Sequence, residues 1–255
     1  MKIADIALAA AVAAGTLHAG AADAIECVAH RGYWNEKIPE NTVEAIARAY
    51  ACGANWVETD FNLEEDGRML CYHDPKRRDE VVKPPFHVPT VDEVLALVPK
   101  DRGIQCEIKK YGPDYAEKFD RAVRAAGLSE TNVLVSSFNA NALKDFKRRK
   151  PTYRTIYLLG IKATSTPQEL VALGKDVGAF AICPGADSAV KWKWTVAAAD
   201  EIRAGGFSFR LYGVNNLELL RYASKMKAEA FTCNFFETAF EWAAAANVKL
   251  APKHR

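Results

Sequence analysis

The sequence predicts a single-domain α/β protein built as a (β/α)8 barrel. From Ile25 onward, short apolar runs alternate with longer segments of helical period, the pattern of a parallel sheet with crossover helices. About eight such units fit within the 255 residues, a length that one barrel uses. Residues with chemical character stand at the ends of several different runs, as on the C-terminal face of a barrel, and no Pro/Ser/Gly-rich linker divides the chain. An open doubly wound sheet is the alternative. Against it, no Gly-x-Gly-x-x-Gly follows the first apolar run.

Taken in order, strands are predicted at 25–30, 56–63, 103–109, 133–137, 154–159, 179–183, 207–214 and 230–232. Helices are predicted between them at 42–52, 91–97, 115–126, 140–149, 168–174, 196–204, 217–225 and 238–246. Thr42 and Asn139 suit N-caps, and Gly53 and Gly127 suit left-handed C-caps. A hairpin turn, Glu65-Asp66-Gly67, follows the second strand and leads to His73.

Residues 1–21 carry one lysine, an apolar alanine-rich run over 6–17, and small residues at Ala19 and Ala21. This is the pattern of a secretory signal peptide, so the expected mature domain is 22–255, located in the periplasm or secreted. No later stretch is apolar for long enough to span a bilayer. Lys and Arg number 34 against 32 Asp and Glu, spread along the chain, so no global field favours nucleic acid, and nothing calls for an obligate protein partner. Six cysteines are scattered without a Cys-x-x-Cys pair, which argues against zinc. Most lie in apolar runs as small buried hydrophobes, although export leaves a disulfide open.

The chemistry concentrates in His30-Arg31-Gly32, Pro39-Glu40-Asn41-Thr42, Glu58-Thr59-Asp60, His73-Asp74 and Glu107-Ile108-Lys109. Glu58 and Asp60, two apart on a strand, point to the same side and can grip one ion at the strand's end. With Glu107 on the next strand they form a set of hard carboxylates that favours Mg²⁺ or Ca²⁺. Gln105, Glu107 and Lys109 share a face, and Lys109 has a reason to be there if a metal-bound phosphate lies beside it. His30 and His73 suit a general base and acid, because an ordinary imidazole pKa near ~6.5 serves both roles. Arg31 matches phosphate oxygens, Gly32 permits a tight turn or close backbone approach, and Glu40 orders Arg31 or a substrate hydroxyl.

These pieces, with Gly53-Ala54, Asp66-Gly67, Ser136-Ser137-Phe138 and Val214-Asn215, resemble the glycerophosphodiester phosphodiesterase family over nearly all of the chain after residue 21. The resemblance implies a (β/α)8 barrel that uses one divalent cation to hydrolyse a small-molecule glycerophosphodiester to glycerol 3-phosphate and an alcohol. By position it implies His30 and His73 as the acid/base pair, Glu58, Asp60 and Glu107 as metal ligands, and Arg31 and Lys109 as phosphate contacts. The stretch after His73-Asp74-Pro75 is shorter than is usual in the family, implying a small or absent capping insertion and a more open pocket. The family's late tryptophan is replaced by Tyr212, which takes its place as a substrate contact, and the near-terminal Thr-Asp reads Thr232-Cys233. The alcohol group stays open at this point. Two other readings stand beside this one: a sphingomyelinase D-like lyase that forms a cyclic phosphate, and a noncatalytic periplasmic binding protein on the same barrel. Lys191-Trp192-Lys193-Trp194 is expected in the loop before the sixth predicted helix, with both tryptophans packed on neighbours.

Overall fold

Eight parallel strands close into a barrel in the computed structural model, which describes residues 24–81, 83, 85–162 and 164–254. The predicted signal segment lies outside the described residues. Strand β1 (Glu26–His30) leads to helix α1 (Val43–Ala51) and β2 (Trp56–Leu63). A short β3 (Met69–Cys71) folds back antiparallel on the end of β2 through the expected hairpin turn, and α2 (Pro75–Val81) and α3 (Val91–Ala96) follow. The remaining units are β4 (Gly103–Lys110), α4 (Tyr115–Ala125), β5 (Val133–Ser137), α5 (Ala140–Arg149), β6 (Arg154–Leu159), α6 (Pro167–Val177) and β7 (Ala181–Pro184). The chain ends with α7 (Ala186–Lys191), α8 (Val196–Ala204), β8 (Ser208–Leu211), α9 (Leu217–Lys225), β9 (Ala230–Cys233) and α10 (Phe236–Ala246). Closure comes from β1, which pairs in parallel with both β9 and β2.

The two-residue period of each strand separates two interiors. Outward residues such as Phe61, Ile104, Ile108, Phe209 and Leu211 pack with the helices into the main core. Inward residues Leu134, Ile156, Leu158, Ala181 and Cys183 form a second cluster inside the barrel, with Trp56, Phe180 and Tyr212 against it. The lumen is therefore apolar along β5 to β7, whereas β2 and β4 bury Glu58, Asp60, Gln105 and Glu107. Burying that many polar groups on one wall is costly without partners, so the wall marks where a ligand belongs.

Thr42 and Asn139 cap their helices as expected, each side chain accepting hydrogen bonds from the first-turn amides. Helix α6, predicted over 168–174, does not stop at Gly174. It continues to a left-handed cap at Gly178, and Gly174 instead makes room for Phe207, whose ring would lie 2.8 Å from an added Cβ. Helices α2 and α7 were not expected; one is a charged Pro-Lys-Arg-Arg-Asp-Glu run with no apolar period, the other spans six residues. All six cysteines are free thiols, five of them buried.

Candidate active site

Three carboxylates meet inside the barrel near its C-terminal end. Glu58, Asp60 and Glu107 each place an oxygen within 4.8 Å of the others, and all three are buried. Register explains the meeting: Asp60 lies directly opposite Glu107 across the β2–β4 pair, and Glu58 is two residues back on the same face. They stand within β2 and not at its end, because the strand runs on into the hairpin with β3. A bulge after Phe61 leaves Lys109 without a partner in the register, next to the cluster. Its Nζ lies 3.0 Å from Glu107 Oε1 and 3.9 Å from Asp60 Oδ1.

Burial and the neighbouring charges make Glu58 and Glu107 resist ionisation. Burial, then the charges of Asp60 and Glu107, hold the Glu58 carboxyl well above the usual carboxylate range, with Arg31 opposing them. Burial and Asp60 push Glu107 up to about 7 against the pull of Lys109. Asp60 Oδ1 is buried with no hydrogen-bond partner among the described residues. An orphaned oxygen among three hard carboxylates fits a divalent cation such as Mg²⁺ or Ca²⁺.

The loop after β1 clamps this cluster. The Arg31 amide donates to Glu58 Oε2 (3.2 Å), its Nη1 donates to Glu40 Oε1 (2.8 Å), and its Nε faces Asp60 Oδ2 at 3.3 Å without hydrogen-bond alignment. Glu40 thus orders Arg31, as one of its two expected roles requires. Asn41, to which the sequence assigned no role, brackets Asp60: its Nδ2 donates to Oδ2 (2.8 Å) and its Oδ1 accepts from the Asp60 amide (3.1 Å). Both Arg31 and Asn41 have left-handed backbones (φ 60° and 59°), and the Asn41 amide donates to the Arg31 carbonyl. Each left-handed residue costs about 1 kcal/mol, strain of the kind that gathers at functional sites. Gly32 allows the tight passage: at φ 86°, a Cβ there would lie 2.6 Å from the Ala45 carbonyl carbon.

His30 borders the carboxylates, and His73 lies within electrostatic reach of His30. His30 Nδ1 lies 2.5 Å from Asn234 Oδ1, an acceptor, so Nδ1 carries the proton and Nε2 keeps its lone pair, 3.7 Å from Glu58 Oε2. Burial and the Arg31 charge push the His30 pKa down to about 4, although Asn234 and Asp60 oppose them. His73 Nδ1 pairs with Asp74 Oδ2 at 2.7 Å, which leaves its Nε2 as the other ring nitrogen. Asn234 is the second residue missed in the sequence; only its place just beyond β9 hinted at the site, and its amide is itself held by Asn215 Oδ1. Tyr212, expected as a substrate contact, sits above Gly185 with its ring edge-on to Phe138, 5.4 Å between centroids. Gln105 donates to Ser136 Oγ, a structural tie along the lumen.

Residues 30–83, which carry both histidines and two of the three carboxylates, match the sequence model of the glycerophosphoryl diester phosphodiesterase family. A curated glycerophosphodiester phosphodiesterase from Caldanaerobacter subterraneus subsp. tengcongensis is 31% identical over 153 residues, 49% of this chain and 62% of the relative. Over these stretches the chain is similar to the glycerophosphodiester phosphodiesterase family. The chain aligns with somewhat under two thirds of the Caldanaerobacter relative's length. The barrel is shared with a glycerophosphodiester phosphodiesterase from Parabacteroides distasonis (TM-score 0.72, 21% identity, covering 87% of this chain and 98% of that one). It is also shared with an Oleispira antarctica phosphodiesterase whose structure holds the product sn-glycerol-3-phosphate (TM-score 0.70, 20% identity, covering 86% and 96%).

Proposed function

We propose that this protein is a metal-dependent hydrolase that converts a glycerophosphodiester to sn-glycerol 3-phosphate and an alcohol. The observation that carries the reading is the buried Glu58–Asp60–Glu107 cluster with the His30 imidazole beside it and His73 within electrostatic reach of His30, in a chain similar to this family. The carboxylates would hold a divalent ion, which when bound supplies Lewis-acid polarisation of the phosphate oxygens. Arg31 and Lys109 would balance the charge that develops on those oxygens. Pinned by Asn234 and held neutral by its low pKa, His30 would take a proton from the attacking water at Nε2 as the water oxygen bonds to phosphorus. Protonated His73, steadied by Asp74, would give its proton to the departing alkoxide as the phosphorus–oxygen bond to the alcohol breaks. Tyr212 would contact the part of the substrate beyond the phosphate. The signal-like pattern of residues 1–21 supports export to the periplasm or beyond, testable by N-terminal sequencing of the exported protein.

Turnover of glycerophosphocholine, followed as glycerol 3-phosphate release, should vanish with a chelator and return with Mg²⁺ or Ca²⁺. His30→Ala and His73→Ala should each lower kcat by about 10²-fold to 10⁴-fold. Chelator-insensitive turnover, or near-normal rates in both variants, would sink the assignment. Phosphorus NMR of the product separates hydrolysis from formation of a cyclic phosphate.

A further inference from the structure

We propose that the β5 to β9 side of the barrel's C-terminal mouth is also a lipid-docking surface, which seats the protein on an anionic phospholipid bilayer through its aromatic and lysine side chains. This goes beyond the hydrolase reading. Among the described residues the large hydrophobic side chains left exposed are Phe138 (48%), Leu173 (41%), Trp192 (40%) and Phe235 (48%). Three of these four follow β5, β7 and β9, and in a parallel barrel those strand ends lie on one rim. Two of them border the site, Phe138 packing on Tyr212 at 5.4 Å and Phe235 following Asn234, the partner of His30, while Trp192 stands at the end of α7 in the connection after β7.

The rings are held outward. Between Trp192 and Trp194 the backbone turns through a left-handed Lys193 (φ 55°). Trp194 packs on the core and its carbonyl accepts from the Tyr222 hydroxyl, whereas Trp192 stays exposed, so only one of the two expected packings occurs. Phe235 stands edge-on to Trp242 with 6.1 Å between ring centroids. Exposed aromatics in fixed settings around a polar opening mark an interaction surface.

Charge identifies the occupant. The positive charge is confined to one side of the mouth: the loops above β5 to β9, residues 138–139, 160–166, 185–195, 212–216 and 234–235, contain Lys162, Lys191 and Lys193 against Asp187 alone, a net +2, whereas the loops after β1 to β4 carry a net −2. Lys191 Nζ lies 5.0 Å from the Trp192 ring centre, so a cation and an apolar ring project together. Interfacial tryptophan and phenylalanine beside lysine suit the headgroup zone of an anionic membrane. A protein partner is disfavoured, since the cores of protein interfaces are depleted in lysine.

The test uses the full chain without its signal segment, sedimented with phosphatidylcholine vesicles with and without about 30% phosphatidylserine, a content that raises the negative surface potential. Binding should require the anionic lipid and weaken with salt. Trp192→Ser should lower partitioning by about tenfold, and Lys191→Ser with Lys193→Ser by a similar factor, from the loss of interfacial area and charge. Those variants should keep the wild-type rate on soluble glycerophosphocholine. No sedimentation with anionic vesicles, or sedimentation untouched by the variants, overturns the proposal, as does concentration-dependent self-association that buries Trp192. Vesicle binding in a chain that turns over no diester supports this surface while refuting the hydrolase reading, so the two failures are distinguishable.

Discussion

Ion binding should expel protons from the acidic cluster. In the ion-free chain Glu107 titrates at about 7 and Glu58 well above the carboxylate range, whereas a divalent ion takes carboxylates only as anions. At pH 6 Glu107 holds its proton, so each ion bound should release about one from that carboxyl, and the upward shift of Glu58 adds to the release. Because log K shifts by one for each proton and pH unit and Glu107 is half-protonated at pH 7, the dissociation constant for Mg²⁺ or Ca²⁺ should weaken by at least about fivefold from pH 7 to pH 6. The same shift sets a stability trend. A carboxyl raised in the folded state keeps a proton that the unfolded chain gives up near 4.5, so the ion-free fold should lose stability as pH rises from 4.5 to about 7. For Glu107 alone this comes to roughly 3 kcal/mol. Calorimetric ion titrations of the chelator-treated protein at pH 6 and 7, in buffers of different ionisation enthalpy, count the protons; urea unfolding across the same range reads the stability. Equal affinity at both pH values, with a binding enthalpy indifferent to the buffer, would refute these carboxyls as the ion's ligands.

Three further outcomes follow from particular contacts. Asn234→Ala removes the acceptor that fixes the His30 tautomer, so kcat should fall by about tenfold with KM little changed, and Asn234→Asp, which keeps an acceptor, should recover part of it in steady-state assays. Asn41→Ala unties both sides of Asp60 and should weaken ion binding by about tenfold to hundredfold in the same calorimetric titration, the range expected for a residue that orients a ligand. Gly103→Ala would put a Cβ 2.3 Å from the Trp56 ring inside the barrel, which should cost about 1–3 kcal/mol in urea unfolding. Trp56→Leu in the same chain should cost less than the two changes added separately.

Most of the barrel was legible because its strands are short β-branched and apolar runs and its helices carry caps and period. The boundaries 56–63, 133–137 and 154–159 agree with the structure, where pattern and burial coincide. The predicted strand 207–214 shortens to Ser208–Leu211, because Tyr212 and Gly213 turn out of the sheet at φ 74° for the glycine. Helix α2 was hidden because its run of charged residues supplies no apolar period.

By itself the sequence determined the eight-unit alternation and the residue types of the site, since periodicity and carboxylate spacing along one strand are local properties of the chain. Glu58 and Asp60 had to share a side whatever the fold around them. Only the tertiary structure decided that Asp60 faces Glu107 across the sheet, that Asn41 and Asn234 hold Asp60 and His30 from 19 and 204 residues away, and that Trp192 faces water while Trp194 does not. Those facts depend on strand register and barrel closure, which bring together residues whose separation in sequence carries no trace of their distance in space.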